Sequence, residues 1–121
     1  MKKSFFLFAF VLLFNFSGIS QNAESKTHII EIRSMKFNPS ELVVQRNDVV
    51  KWINKDIVLH NATEKKTAAW ASPTLDRGDS WEMTVTESAE YFCTLHVAMT
   101  GKITVKKNKT NEKDKTEEEA F

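Results

Sequence analysis

Residues 80–105 read SWEMTVTESAEYFCTLHVAMTGKITV, and the pattern of this stretch decides the fold. Apolar residues alternate with polar ones along it, at Trp81, Met83, Val85, Tyr91, Cys93, Ile103 and Val105. The same alternation occurs earlier in the chain, at Ile30, Ile32, Leu42, Val44, Val50 and Trp52. A hydrophobic period of two is typical of half-buried strands. Six or seven such strands, with no convincing helical stretch, predict an all-β fold, a Greek-key antiparallel β-sandwich.

The N-terminus has the pattern of an export signal. Lys2-Lys3 precede an apolar run from Phe5 to Phe16, and Gly18-Ile19-Ser20 supplies small residues for cleavage. This pattern predicts a signal peptide over residues 1–20. A membrane anchor is the alternative, but about twelve apolar residues fall short of the roughly twenty that cross a bilayer. We therefore expect a periplasmic or otherwise exported protein, with no stable membrane insertion after the signal is cleaved.

Charge and cysteine content narrow the function classes. Without residues 1–20 the chain carries 15 basic and 16 acidic residues, which argues against nucleic-acid binding because phosphate neutralisation needs clustered Lys and Arg. Residues 106–121 mix Lys with Asp and Glu and are predicted to form a charged flexible tail, which leaves one domain over residues 21–105. Cys93 is the single cysteine, so an exported protein of this kind has no disulfide framework.

Four residues form a constellation with metal-binding character. Cys93, His96 and Met99 follow one another at intervals of three, and we expect a tight loop, closed by Gly101, to aim them at one point. His60 lies 33 positions before Cys93, at the end of the apolar run Ile57-Val58-Leu59. Two His and one Cys with a distant Met are the ligand set of a blue-copper site.

Each of these residues also has a purely structural interpretation. Cys93 alone is typical of a buried filler, His96 of a surface loop, Met99 of core packing and His60 of a strand end; His28 is taken as incidental. A structural zinc site is a weaker competitor, because zinc prefers Cys, His or carboxylate to a thioether. Hydrolytic Cys-His catalysis lacks an evident orienting group or oxyanion donor in this sequence.

The chain resembles the small type I (blue) copper proteins of the cupredoxin family, closest in ligand spacing to amicyanin and pseudoazurin, with plastocyanin more distant. The resemblance covers nearly all of residues 29–105 and rests on two sets of matching residues. The first set is Met35, Phe37, Pro39, Leu42, Val44, Asp48, Val50, Trp52, Asn54, Asp56, His60 and Asn61. The second set is Ser80, Trp81, Tyr91, Phe92, Cys93, His96, Met99, Gly101, Ile103 and Val105.

The resemblance implies one copper ion, cycling between Cu(I) and Cu(II), held by His60, Cys93, His96 and, axially, Met99. It implies a monomeric single-electron carrier, not an enzyme, that serves a redox partner protein such as a cytochrome or a periplasmic oxidoreductase. It also implies that the Asn61 backbone N–H points at the Cys93 sulfur. Two other functions stay open: copper storage or delivery without redox cycling, and a sandwich-type interaction domain.

Two departures from the family pattern carry expectations of their own. Asn47 replaces a usual Gly, which is tolerable because Asn accepts positive φ better than most residues. Leu95 replaces the Pro that is common between the Cys and His ligands. Unlike Pro, Leu95 has a backbone N–H, and we hypothesise that it donates to the Cys93 sulfur and raises the reduction potential.

Overall fold

The computed structural model describes residues 24–107, which fold into two packed β-sheets. The predicted signal peptide and residues 108–121 of the predicted tail lie outside the described residues. The strands are β1 (Thr27–Arg33), β2 (Lys36–Asn38), β3 (Glu41–Val44), β4 (Val49–Asn54), β5 (Thr63–Glu64), β6 (Ser80–Thr84), β7 (Ala89–Cys93) and β8 (His96–Val105). In residues 24–107 there is no helix of the length and apolarity needed to span a bilayer.

The two sheets have four strands each, in the orders β2-β1-β4-β6 and β3-β8-β7-β5. The all-β sandwich is confirmed, but the sheets are mixed and not purely antiparallel. β1 pairs with β4 in parallel, and β3 pairs with β8 in parallel. Each parallel pair joins strands that are not consecutive in sequence, because the chain crosses between the two sheets. The alternation of side chains is the same in parallel and antiparallel strands, so the sequence pattern did not show which pairs are parallel.

The core lies between the sheets and comes from the alternating residues. In β4 every second residue is fully buried, at Val50, Trp52 and Asn54. The Trp52 ring lies 5.4 Å from that of Trp81 and 5.5 Å from that of Tyr91, measured between centroids. Trp52 is therefore a core residue, and Trp81 packs against the core while partly exposed.

Two strands, β2 and β5, are too short to be recognised from the hydrophobic pattern of the sequence. β2 has three residues and β5 has two, too few for an alternation to register. β2 follows β1 through the two-residue turn Ser34–Met35, in which φ is 48° and 59°. Positive φ at both positions is the geometry of a type I′ hairpin turn, which matches the twist of the flanking strands. Asn47 also has a positive φ, 73°, which confirms the expectation for that residue.

Gly101 does not turn the chain, contrary to the prediction. It lies inside β8, paired with Tyr91 of β7, and β8 runs without interruption from His96 to Val105. A Cβ atom on Gly101 would overlap the Tyr91 ring. The absence of a side chain therefore allows the ring to lie across β8, where it also makes an edge contact with Phe37 at a centroid distance of 4.7 Å.

Candidate metal centre

Three side chains with soft or nitrogen donors converge where β7 ends and β8 begins. His60, Cys93 and His96 each place one donor atom within 4.8 Å of the other two. The Cys93 Sγ lies 3.9 Å from His60 Nδ1 and 3.7 Å from His96 Nδ1. The two imidazole rings have centroids 4.9 Å apart and are inclined by 58°. Three of the four residues singled out in the sequence therefore lie together in the structure, with the two imidazoles of His60 and His96 next to the Cys93 sulfur.

Cys93 and His96 come from the hairpin between β7 and β8. They are paired with each other across the ladder, so the connection between the strands is only Thr94-Leu95. The register is irregular between Phe92 and Cys93. Such irregularities re-aim a side chain at the edge of a functional site. Cys93 is fully buried, whereas His96 is half-buried and has one side open to solvent.

His60 comes from the loop after β4 and is fully buried. Its backbone exchanges two hydrogen bonds with Leu75: His60 N–H donates to Leu75 O over 3.1 Å, and Leu75 N–H donates to His60 O over 2.7 Å. The buried Asn54 amide donates to Val58 O and Leu75 O, both at 2.9 Å. Asn54, the last residue of β4, is thus hydrogen-bonded both to the loop that carries His60 and to the segment that contains Leu75.

Asn61 links the loop of His60 to the hairpin of Cys93. Its backbone N–H donates to Cys93 Sγ over 3.4 Å, as the resemblance implied. Its side chain donates through Nδ2 to Thr94 Oγ1 over 2.6 Å and accepts the Thr94 N–H at Oδ1 over 2.8 Å. Three hydrogen bonds therefore fix the sulfur and the two chain segments relative to each other.

Met99 is buried, but it lies inside β8 and not in a loop. From Met99 onwards, buried and exposed residues alternate regularly along β8. Before Met99, both Val97 and Ala98 are exposed, so the alternation shifts by one residue. In a regular strand, side chains three residues apart face opposite sides. The shift is what allows His96 and Met99 both to be directed inwards, and it replaces the tight loop that was predicted.

The hydrogen bond expected from Leu95 is absent in the described part of the chain. Cys93 Sγ accepts a backbone N–H from Asn61, and Leu95 N–H makes no hydrogen bond to it. The Leu95 side chain is 50% exposed, so it does not seal the site either. The hydrogen bond that the hypothesis invoked is therefore not present in residues 24–107, and an effect of Leu95 on the reduction potential stays a prediction.

Asp56 contacts the candidate ligand His60, and the sequence showed it only as part of the family pattern. Its Oδ2 lies 3.0 Å from His60 Nε2 and accepts the Met35 N–H over 2.9 Å. The hydrogen bond from Met35, followed by that from His60, holds the pKa of Asp56 below its ordinary value. The only local signal was a carboxylate four positions before a candidate ligand, and loops contain many such pairs by chance.

The donor set fits copper. A thiolate and a thioether favour Cu(I), and imidazole accommodates both Cu(I) and Cu(II). Zinc would be completed by a further Cys, His or carboxylate. Within residues 24–107, the cluster of His, Cys, Asp and Glu donors has only the three members His60, Cys93 and His96. The fourth side chain available at this end of β8 is the thioether of Met99.

Fold and donor set together define a copper protein, and the chain belongs to the plastocyanin/azurin family of copper-binding proteins, whose model matches residues 23–106. It is 34% identical over 83 residues to amicyanin of Paracoccus denitrificans. It is 29% identical over 83 residues to amicyanin of Paracoccus versutus. Each match covers 64% of this chain and 63% of the relative, somewhat less than two thirds of its length. Copper is the cofactor of this protein.

Solved structures agree with this assignment. A reduced Cu(I) amicyanin variant at pH 4 has a TM-score of 0.63 at 30% identity and covers 70% of this chain and 87% of that chain. A copper-containing nitrite reductase from Thermus scotoductus SA-01 has a TM-score of 0.61 at 21% identity, over 70% of this chain and 23% of that chain. This second likeness concerns the fold alone.

Proposed function

We propose that the protein carries single electrons between redox partners and that His60, Cys93, His96 and Met99 would hold its copper ion. Bound copper supplies the one-electron chemistry by alternating between Cu(I) and Cu(II). The observation that carries this proposal is the placement of Cys93 Sγ within 4 Å of both Nδ1 atoms, at 3.9 and 3.7 Å. One thiolate between two imidazoles is the trigonal set that single-electron copper sites use.

The surroundings of these residues suit repeated electron transfer. Asn61 holds the sulfur and Thr94, and the backbone of His60 is bonded on both sides to Leu75. A ligand set held by the protein changes little between the two oxidation states, so little reorganisation accompanies transfer. Storage or delivery of copper gains nothing from such rigidity, since the metal must then be released.

The exit for electrons in this proposal is His96. It is the half-buried imidazole of the pair, and exposed apolar side chains flank the ligands in sequence. Val97 is 72% exposed and Leu95 50%, and Leu59, next to His60, is 47% exposed. We call Leu59, Leu95 and Val97 the apolar rim. Exposed apolar groups around a site are typical of docking surfaces, and a redox partner protein is the occupant that an electron carrier requires.

The signal-like residues 1–20 support export to the periplasm or beyond. We further propose that the protein is a monomer and has no enzymatic activity of its own.

The deciding experiment is the visible spectrum of the Cu(II)-loaded protein, followed by voltammetry. An intense charge-transfer band from thiolate to Cu(II) with a reversible potential is expected. Stoichiometric Cu(I) binding without that band would indicate storage or delivery, and no stoichiometric copper would indicate an interaction domain.

A further inference from the structure

The β1–β2 turn contacts the metal centre through one carboxylate oxygen. Met35 N–H donates to Asp56 Oδ2 over 2.9 Å, and the same oxygen lies 3.0 Å from His60 Nε2. An ionised carboxylate only accepts hydrogen bonds, so His60 must donate from Nε2. The proton of the imidazole is then on the nitrogen that faces away from Cys93, and Nδ1 keeps its lone pair.

Both carboxylate oxygens of Asp56 accept backbone hydrogen bonds. Its other oxygen, Oδ1, accepts the N–H of Ile57 over 3.1 Å, and its own N–H donates to Asn54 Oδ1 over 2.9 Å. The side chain is only 15% exposed. Hydrogen bonds to both oxygens therefore fix the orientation of the carboxylate that His60 contacts.

The turn that supplies the Met35 N–H depends on an uncommon backbone conformation. Ser34 and Met35 have φ of 48° and 59°, which residues other than Gly, Asn and Asp adopt rarely. A β-branched residue is strongly disfavoured there. The direction of the Met35 N–H is thus set by this left-handed turn and not by the methionine side chain, which is 40% exposed.

We propose that the Ser34–Met35 turn is a positioning element for the metal centre: it fixes Asp56, and Asp56 fixes the tautomer and ring orientation of His60. Met35 and Asp56 are positioning residues, since neither donates an atom to the metal. This inference rests on the proposed function only in taking His60 as a ligand. A hydrogen bond from a ligand imidazole to a carboxylate commonly sets which nitrogen is free for the metal.

The test uses the copper-free protein, in which the His60 tautomer is observable by nitrogen NMR of the imidazole. In Asp56→Asn the ratio of Nε2–H to Nδ1–H tautomer is expected to fall about tenfold, since the acceptor loses its negative charge and the amide group can also present a donor to His60. Asp56→Glu should restore much of the ratio. An unchanged ratio in Asp56→Asn would overturn the proposal.

The contribution of the turn is tested without a change of charge. Met35→Val should lower the same ratio, because the β-branched residue disfavours the left-handed turn, whereas Met35→Gly should preserve it. Ala68→Val is the matched control: Ala68 also has a positive φ, 53°, but its turn is held by Glu64 and not by Asp56. An equal shift in Met35→Val and Ala68→Val would show general destabilisation and overturn the role of the turn.

The same variants, loaded with Cu(II), separate this inference from the proposed function. If the wild-type protein gives no charge-transfer band, the electron-transfer proposal fails whatever the tautomer. If the wild-type band is present, the positioning role requires that Asp56→Asn and Met35→Val shift its energy while Ala68→Val leaves it unchanged. A band that is identical in all four proteins would reject the positioning role alone.

Discussion

Gly101 of β8 lies directly opposite Tyr91 of β7, and the tyrosine ring occupies the space in which a side chain at position 101 would stand. Tyr91 is fully buried, and burial raises the pKa of its phenol. Cys93 lies two residues after Tyr91 in β7, and Met99 lies two residues before Gly101 in β8. The close approach of ring and backbone therefore sets the spacing of β7 and β8 just behind the metal centre.

Gly101→Ala should destabilise the protein by about 3 kcal/mol, because overpacking a rigid core forces strand or ring to move. Gly78→Ala is the control, since a Cβ at Gly78 meets no atom within 4 Å and only its φ of 90° is unfavourable. Urea unfolding of the copper-free proteins measures both. A loss for Gly101→Ala no greater than that for Gly78→Ala would contradict the close-approach role.

Cys93→Ser should abolish the charge-transfer band, whereas Met99→Gln should retain a coloured site with a shifted potential. The reason is that the thiolate makes the short, strong bond in such sites and the axial ligand a long, weak one. Visible absorption and voltammetry of the Cu(II)-loaded variants measure the two effects. Equal loss of colour in both variants would contradict the ligand hierarchy, and a blue Cys93→Ser protein would reject the thiolate as ligand.

Val97→Glu should slow electron self-exchange by about tenfold while the copper spectrum stays the same, because a charge in the apolar rim opposes the close contact that transfer needs. NMR line broadening of mixed Cu(I) and Cu(II) protein measures the rate, at high salt so that repulsion between the new charges is screened. Val43→Glu, at a valine of β3 that is 54% exposed, is the control. Equal rates in the two variants would place the transfer surface elsewhere.

Glu64→Gln should flatten the acid limb of the stability curve. Hydrogen bonds from the N–H groups of Thr67, Lys66 and Ala69 lower the pKa of Glu64 to about 2. The unfolded chain has a higher carboxyl pKa of about 4.3, so the stabilisation by ionised Glu64 is complete above that value. It is lost as the pH falls towards 2.

Urea unfolding of the copper-free protein at pH 6 and pH 3 measures this effect. The wild type should lose more free energy of unfolding between the two pH values than Glu64→Gln does. Glu87→Gln, at an exposed carboxylate, should behave like the wild type. The assignment would be wrong if Glu64→Gln and Glu87→Gln had the same dependence on pH.

Sequence alone predicted the β-sandwich because the alternation of apolar residues is a local property, read directly along strands such as β4 and β6. It also predicted His60, Cys93 and His96, whose types and spacing are unusual enough to indicate a metal site before any distance is known. The sequence also allowed the positive φ of Asn47 to be expected, because few residue types adopt positive φ and Asn is one of them.

Only the tertiary structure decided which strands pair in parallel, how Gly101 is used and what holds His60. These features depend on contacts between residues far apart in sequence, such as Met35 with Asp56, 21 positions later. Every residue except Pro has a backbone N–H, so the residue type at position 35 did not indicate that its N–H donates to Asp56. Whether Leu95 N–H bonds to the Cys93 sulfur could not be judged from the sequence for the same reason, since it depends on a two-residue turn that follows from the pairing of Cys93 with His96.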